Sequence, residues 1–179
     1  MRALDLAVLA VRRSEKWADQ RSGVLASTVA EMDFELAQQV SAALRAALDR
    51  HDLGYTPSKV PVLASAFVGF AARRMRWDVD PDQVVLATDV MVAVASLCRV
   101  LSEPGGMVAF ASPNYPPFFD ELPREGVRLR EVSLGPDGGL DLAALRVALA
   151  DGARVLVLTS PHNPTGRVFP RAELQAIAR

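Results

Sequence analysis

Cysteine occurs once in the 179 residues, at Cys98, and lysine, tyrosine, tryptophan and histidine occur only twice each. A lone cysteine excludes an internal disulfide and a multi-cysteine metal site. Cys98 lies in a helical apolar pattern, so a small buried core residue in a reducing, cytoplasmic setting is expected, and no metal site is expected elsewhere. Neither sign of charge dominates: the formal net charge is -1 and the pI about 6.1. That leaves no basic stripe for nucleic acid and no acidic tail. No apolar run approaches the roughly 20 residues of a membrane helix, so a soluble protein is expected. The run Leu6 to Val11 has Asp5 at its edge, Arg12 and Arg13 behind it and no small-residue cleavage site after it. It reads as a folded or docking segment instead of a signal peptide. Internal repeats, low-complexity tracts and flexible linkers are also missing.

What is present is a core-forming composition, 50% hydrophobic and 23% charged, the makeup of an ordinary globular protein. Two helices are expected early, over 35–50 and 59–77, with Pro61 tolerated in the first turn of the second and a loop over 51–58 between them. From about Pro81 onward, short β-branched runs alternate with helical patterns. This is the mark of an α/β fold, a mostly parallel sheet with helices on both faces. Strands are expected at Val84 to Ala87, Met107 to Ala111, Val127 to Val132 and Arg154 to Thr159. Between them lie helices from Thr88 and Asp89 to about Leu101, after Pro117, and from Asp141 to Ala150. The chain ends inside a further helix from Pro170, whose natural continuation is another strand. The expectation is therefore a sheet incomplete at its carboxyl end, or an abbreviated protein.

In open parallel sheets, ligands bind beyond the carboxyl ends of the strands. Three loops there carry chemistry. The turn into Val90 and Met91 offers free backbone N–H groups and a positive helix end for a phosphate, although simple capping is the favoured explanation of such a turn when it is considered alone. The loop Ser112-Pro113-Asn114-Tyr115-Pro116-Pro117-Phe118 fixes an aromatic ring between prolines, either as a stacking platform or as a core tyrosine. The loop Ser160-Pro161-His162-Asn163-Pro164-Thr165-Gly166 presents an amide able to hydrogen-bond a phenolate or carbonyl oxygen, with turn chemistry as the plainer alternative. No Gly-x-Gly-x-x-Gly follows the first expected strand, which disfavours a nucleotide-binding Rossmann domain.

The segment Val157 to Phe169 resembles the Asn-Pro motif of fold-type-I enzymes dependent on pyridoxal 5'-phosphate (PLP), the aminotransferase class I and II superfamily. Its His-Asn-Pro-x-Gly-Arg form is accompanied by Pro-x-Tyr-Pro-Pro-Phe upstream, Lys16-Trp17 near the start and Ala30-Glu31-Met32-Asp33-Phe34 after it. Together these are similar to the carbon-sulfur β-lyase branch, cystathionine β-lyases of the MalY and PatB kind. The resemblance covers essentially the whole chain from Lys16.

It implies an aspartate aminotransferase-like fold, with residues 1–50 supplying small-domain and dimer-arm elements and 51–179 the first part of a truncated PLP-binding large domain. Tyr115 would stack on the pyridine ring, Asn163 would hydrogen-bond the ring oxygen, and the backbone at Val90 and Met91 would hold the phosphate. Tyr55 would reach the partner subunit's phosphate in a homodimer, and Met32 and Asp33 would lie near the entrance for an amino-acid substrate. Asp89 stands where a glycine or small residue is usual, so its carboxylate must turn away to cap the helix. Asn114 replaces a more usual apolar residue.

The Schiff-base lysine, the acid on the pyridine nitrogen and the arginine that grips the substrate carboxylate are expected beyond Arg179. No catalytic residue is therefore assigned within the chain. Lys59, although preceded by Ser58, is assigned to the surface. The implied reaction is α,β-elimination from a cysteine conjugate, with transamination as the alternative. A non-catalytic fragment, or a binding or dimerisation module, is the alternative of another class. In isolation the chain is expected to be poorly stable and inactive.

Overall fold

Short β-branched runs separated by helical patterns fold, in the computed structural model, into three parallel strands with helices packed on them. The structure describes residues 2–18, 21, 23–57 and 59–179, in two compact units, Met1–Val60 and Pro61–Arg179. Ser58 lies outside the described residues.

In the second unit, α3 (Pro61–Met75) starts at its proline and not at Lys59, because the residue before a proline is disfavoured in helical conformation. It stops where Arg76 adopts a left-handed φ of 53°. The chain then passes a short 3-10 turn at Pro81–Gln83, where Asp80 accepts the Asp82 N–H at 2.9 Å. The strand expected at Val84 to Ala87 does not form. Val84 is extended, but no described strand pairs with the segment, and Val85 and Leu86 are exposed. A β-rich sequence without a partner for its backbone groups has no ladder to join.

The helix α4 (Val90–Leu101) follows, then β1 (Met107–Ser112), α5 (Pro117–Arg124), β2 (Arg128–Ser133), α6 (Leu142–Ala150), β3 (Ala153–Val157) and α7 (Arg171–Ile177). The sheet order is β2-β1-β3, all parallel. β1 is central and reads Met-Val-Ala-Phe-Ala-Ser, with Val108, Ala109, Phe110 and Ala111 fully buried, as expected of a strand covered on both faces. It pairs with β2 from Met107↔Arg128 to Ser112↔Ser133, but with β3 only as far as Phe110↔Val157. The last strand therefore ends at Val157, two residues before the patterned run does.

One apolar cluster joins α4 and α5 to the sheet through Ala95, Cys98, Val108, Phe118, Leu122 and Val127. The other joins α6 and Phe169 through Ala109, Ala111, Val132, Leu145 and Ala148. Asp141 caps α6 by accepting the N–H groups of Ala143 and Ala144 at 2.9 and 3.0 Å, and Pro170 precedes α7 as its cap residue.

The first unit has little regular structure: the single turn α1 (Leu6–Leu9) and α2 (Gln38–Asp49). An antiparallel bridge pairs Ala3 with Phe34, and the Glu35 N–H donates to the Arg2 carbonyl at 2.9 Å. This holds 34–35 extended, which is why α2 begins at Gln38 instead of Glu35. Leu9, Trp17 and Ala26 form its small apolar centre. Val40, Leu44 and Leu48 make an exposed stripe along α2.

Candidate functional site

Parallel pairing places the carboxyl ends of β1 and β3 at one edge of the sheet. α4 ends five residues before β1 begins, at the sheet's amino edge. Its twelve residues span about 18 Å, so its amino terminus returns to the carboxyl edge. The fold therefore brings together the three loops singled out from the sequence, with the helix start at Val90, the Tyr115 loop and the Asn163 loop at one end of the second unit.

At the helix start, Asp89 is extended and its Oδ1 accepts the Val92 N–H at 2.9 Å. The carboxylate thus turns back onto its own helix as a cap. The N–H groups of Val90 and Met91 have no hydrogen-bond acceptor among the described residues. Two donors at the positive end of a twelve-residue helix suit an anion.

The tyrosine loop is shaped by a residue whose part was not visible in the sequence. Asn114 is buried; its Nδ2 donates to the Ala111 carbonyl at 2.9 Å and its Oδ1 accepts the Tyr115 N–H at 2.7 Å. Its side chain thus plays the part of a further strand residue, which an apolar residue there could not. Tyr115 is 41% exposed, with its ring edge-on to Phe118 at 6.3 Å. The tyrosine is neither buried in the core nor loose on the surface.

The asparagine loop is tied at several points. The His162 N–H donates to the Arg167 carbonyl at 2.7 Å, and the Gly166 N–H to the His162 carbonyl at 2.6 Å. The turn needs the left-handed φ of 72° that Gly166 supplies. The His162 imidazole is buried, its Nδ1 lies 2.9 Å from the Thr165 hydroxyl, and burial lowers its pKa. Arg167 extends the network by donating to the Asp137 carbonyl and to Glu173, each at 2.8 Å, and its guanidinium lies over Phe169. Glu173 in turn accepts the Leu140 N–H at 2.8 Å. Asn163 itself is exposed, its amide free of hydrogen bonds among the described residues. His162 and Arg167 were read only as motif letters. A histidine beside a turn followed by an arginine was the available signal for a braced loop.

The remaining candidates lie in the first unit. Tyr55 is fully exposed. Met32 is 72% exposed, whereas Asp33 is engaged by Lys16 and Trp17. Of the two lysines, Lys59 is exposed and Lys16 is 9% exposed and ion-paired.

Helices packed on a parallel sheet set the chain among α/β proteins, and residues 27–179 match the sequence profile of aminotransferase class I and II; the chain belongs to that family. Among its relatives, a Mycobacterium leprae protein provisionally named cystathionine beta-lyase is 38% identical over 184 residues, 98% of this chain and 45% of its own length. The cystathionine beta-lyase of Corynebacterium glutamicum is 35% identical over 169 residues, covering 94% of this chain and 45% of its own. A crystal structure from Corynebacterium diphtheriae, provisionally described as a PLP-dependent beta-cystathionase, superposes with a TM-score of 0.89 at 28% identity, over 98% of this chain and 46% of that one. The chain spans less than half the length of these relatives.

Proposed function

We propose that this chain is the amino-terminal part of a PLP-dependent carbon-sulfur β-lyase. Such an enzyme eliminates a thiol from a cysteine conjugate such as cystathionine and leaves pyruvate and ammonia. The observation that carries the reading is the convergence of a free helix start, a braced tyrosine and a braced asparagine at one sheet edge.

The donor set fits the cofactor chemically. The Val90 and Met91 N–H groups would hold the phosphate, and the Asp89 carboxylate, already used by Val92, is turned to its own helix. The ring of Tyr115 would cover one face of the pyridine, and the Asn163 amide would donate to the ring oxygen. When bound, PLP supplies an electron sink for the negative charge left on the substrate's α-carbon. The chain's own residues bind and orient; moving the proton is assigned to a lysine outside this chain, since the Lys16 ammonium is held by Asp33 at 2.6 Å. Tyr55, fully exposed on its loop, suits a reach into a partner subunit of a homodimer. The lone buried Cys98 suits a reducing, cytoplasmic compartment. Among the described residues no helix is long and apolar enough to cross a membrane.

Transamination is the second reading, favoured by the family whose profile the chain matches. The test gives the PLP-loaded natural protein cystathionine with and without a 2-oxo acid. Pyruvate and thiol formed without the 2-oxo acid support the lyase. Turnover that requires the 2-oxo acid supports the aminotransferase. With neither product, the chain is a non-catalytic binding or dimerisation module.

A further inference from the structure

The loop that carries Asn163 leaves the carboxyl end of β3 and closes on itself at one pair, the His162 N–H donating to the Arg167 carbonyl at 2.7 Å. Residues 163–166 lie between these two, so whatever holds Arg167 also holds the Asn163 amide. The partners of Arg167 lie outside the loop. Its guanidinium donates to the Asp137 carbonyl, in the turn after β2, and to Glu173 Oε2, in the first turn of α7, each at 2.8 Å. Glu173 uses its other oxygen to accept the Leu140 N–H at 2.8 Å. One arginine and one carboxylate therefore tie the loop after β3, the turn after β2 and the start of α7, all within the second unit.

The side chains of Arg167 and Glu173 are 26% and 16% exposed, so the pair is shielded to a degree that surface pairs are not. A guanidinium is a rigid fork, and its two arms meet two separate acceptors in one orientation only. The turn after β2 is shaped to admit them. Gly138 has a left-handed φ of 77°, and a Cβ there would lie 3.5 Å from Arg167 Cδ. A Cβ on Gly139 would lie 3.1 Å from Glu173 Oε1, the oxygen that accepts the Leu140 N–H. A side chain on Gly139 thus pushes at the carboxylate on which Arg167 depends. We propose that Arg167 and Glu173 are positioning residues for Asn163: the pair locks the closing residue of its loop to the turn after β2 and presents the amide in a fixed place before a ligand arrives. The Asp137–Gly139 turn then governs binding at Asn163 through Glu173. The proposal rests on the reading above only in taking PLP as the molecule that Asn163 meets.

The test uses the natural protein and two readouts, hydrogen exchange at the His162 and Gly166 amides without PLP, and the PLP dissociation constant from a spectrophotometric titration. Arg167→Met keeps an apolar stem and removes both donors. It is expected to speed exchange at both amides about tenfold, the loss of a charge-assisted hydrogen bond, and to weaken PLP binding by about as much. Arg167→Lys keeps the charge without the fork and recovers only part of each loss. Gly139→Ala shifts both readouts in the same direction by less. The deciding comparison is made in the Asn163→Ala background, where Arg167→Met should add little to the loss of PLP affinity, because a residue that acts through Asn163 has nothing left to position. An equal weakening in both backgrounds overturns the positioning role in favour of a general structural one. Unchanged exchange in Arg167→Met and in Gly139→Ala overturns the brace itself. Should Arg167→Met fail to fold, Arg167→Lys carries the same comparison. If the unmodified protein does not bind PLP, the functional reading fails, while the exchange measurement still decides the brace.

Discussion

The two units are held together by opposite means. The second rests on a buried central strand and two apolar clusters, with its polar groups gathered in the loops at one edge. The first has three buried apolar residues in its centre and depends on a clasp of charge and indole. A packed core is sensitive above all to changes of volume; a clasp is sensitive above all to the loss of one of the groups that pair in it.

The largest expected effect tests the packing side. Phe110→Ala empties the centre of β1 and is expected to cost about 3–5 kcal/mol, measured by denaturant unfolding followed through the second unit. Protection of amides 31–35 stays near that of the unmodified chain, and an equal loss there would break the contrast between the units. Next, Asn114→Leu strands the Tyr115 N–H and the Ala111 carbonyl at a cost of about 1–3 kcal/mol. Thermal melting reads the loss and equilibrium dialysis a weaker hold on PLP, while Leu at this position in a stable, tight-binding protein would show that the loop needs no amide. Asp89→Ala removes a cap worth about 0.5–2 kcal/mol, whereas Asp89→Ser keeps a capping oxygen and removes the charge. The serine variant should melt near the parent and bind PLP at least as tightly. Weaker binding would show the carboxylate to be useful to the cofactor.

The smallest effect is a pH dependence that separates the units. Burial depresses the folded-state pKa of His162 below its ordinary 6.5, so its contribution is present above 6.5 and is lost as pH falls from there toward the folded value. Asp33 is also depressed, below 3.8, so its contribution is present above 3.8 and is lost only as pH falls through its lower folded value. Acid titration followed by hydrogen exchange should loosen the asparagine loop before the clasp. His162→Phe should remove the earlier step alone.

Most of the second unit could be read from local signals because those signals coincide with tertiary ones. Asp141 begins a helix, Pro170 precedes one, and Met107 to Ala111 is both β-prone and central. Val84 to Ala87 was misread because propensity describes a residue and not its neighbour, and a strand exists only where another meets it. Tyr115 and Asn163 were legible as loop residues that follow strands. Asn114, His162 and Arg167, which brace their loops, were not, because their work lies in burial and in partners such as Ala111, Thr165 and Glu173 that spacing alone does not reveal. Likewise nothing in the letters Lys-Trp and Met-Asp-Phe announced that Asp33 faces inward to Lys16.

The bracing of Asn163 by His162, Gly166 and Arg167 bears on how a ligand is admitted. A loop already ordered loses little conformational freedom when a molecule arrives, so affinity at this edge is set by how well the newcomer matches a fixed arrangement. Such a surface acts as a ruler, choosing among ligands by the spacing of their groups.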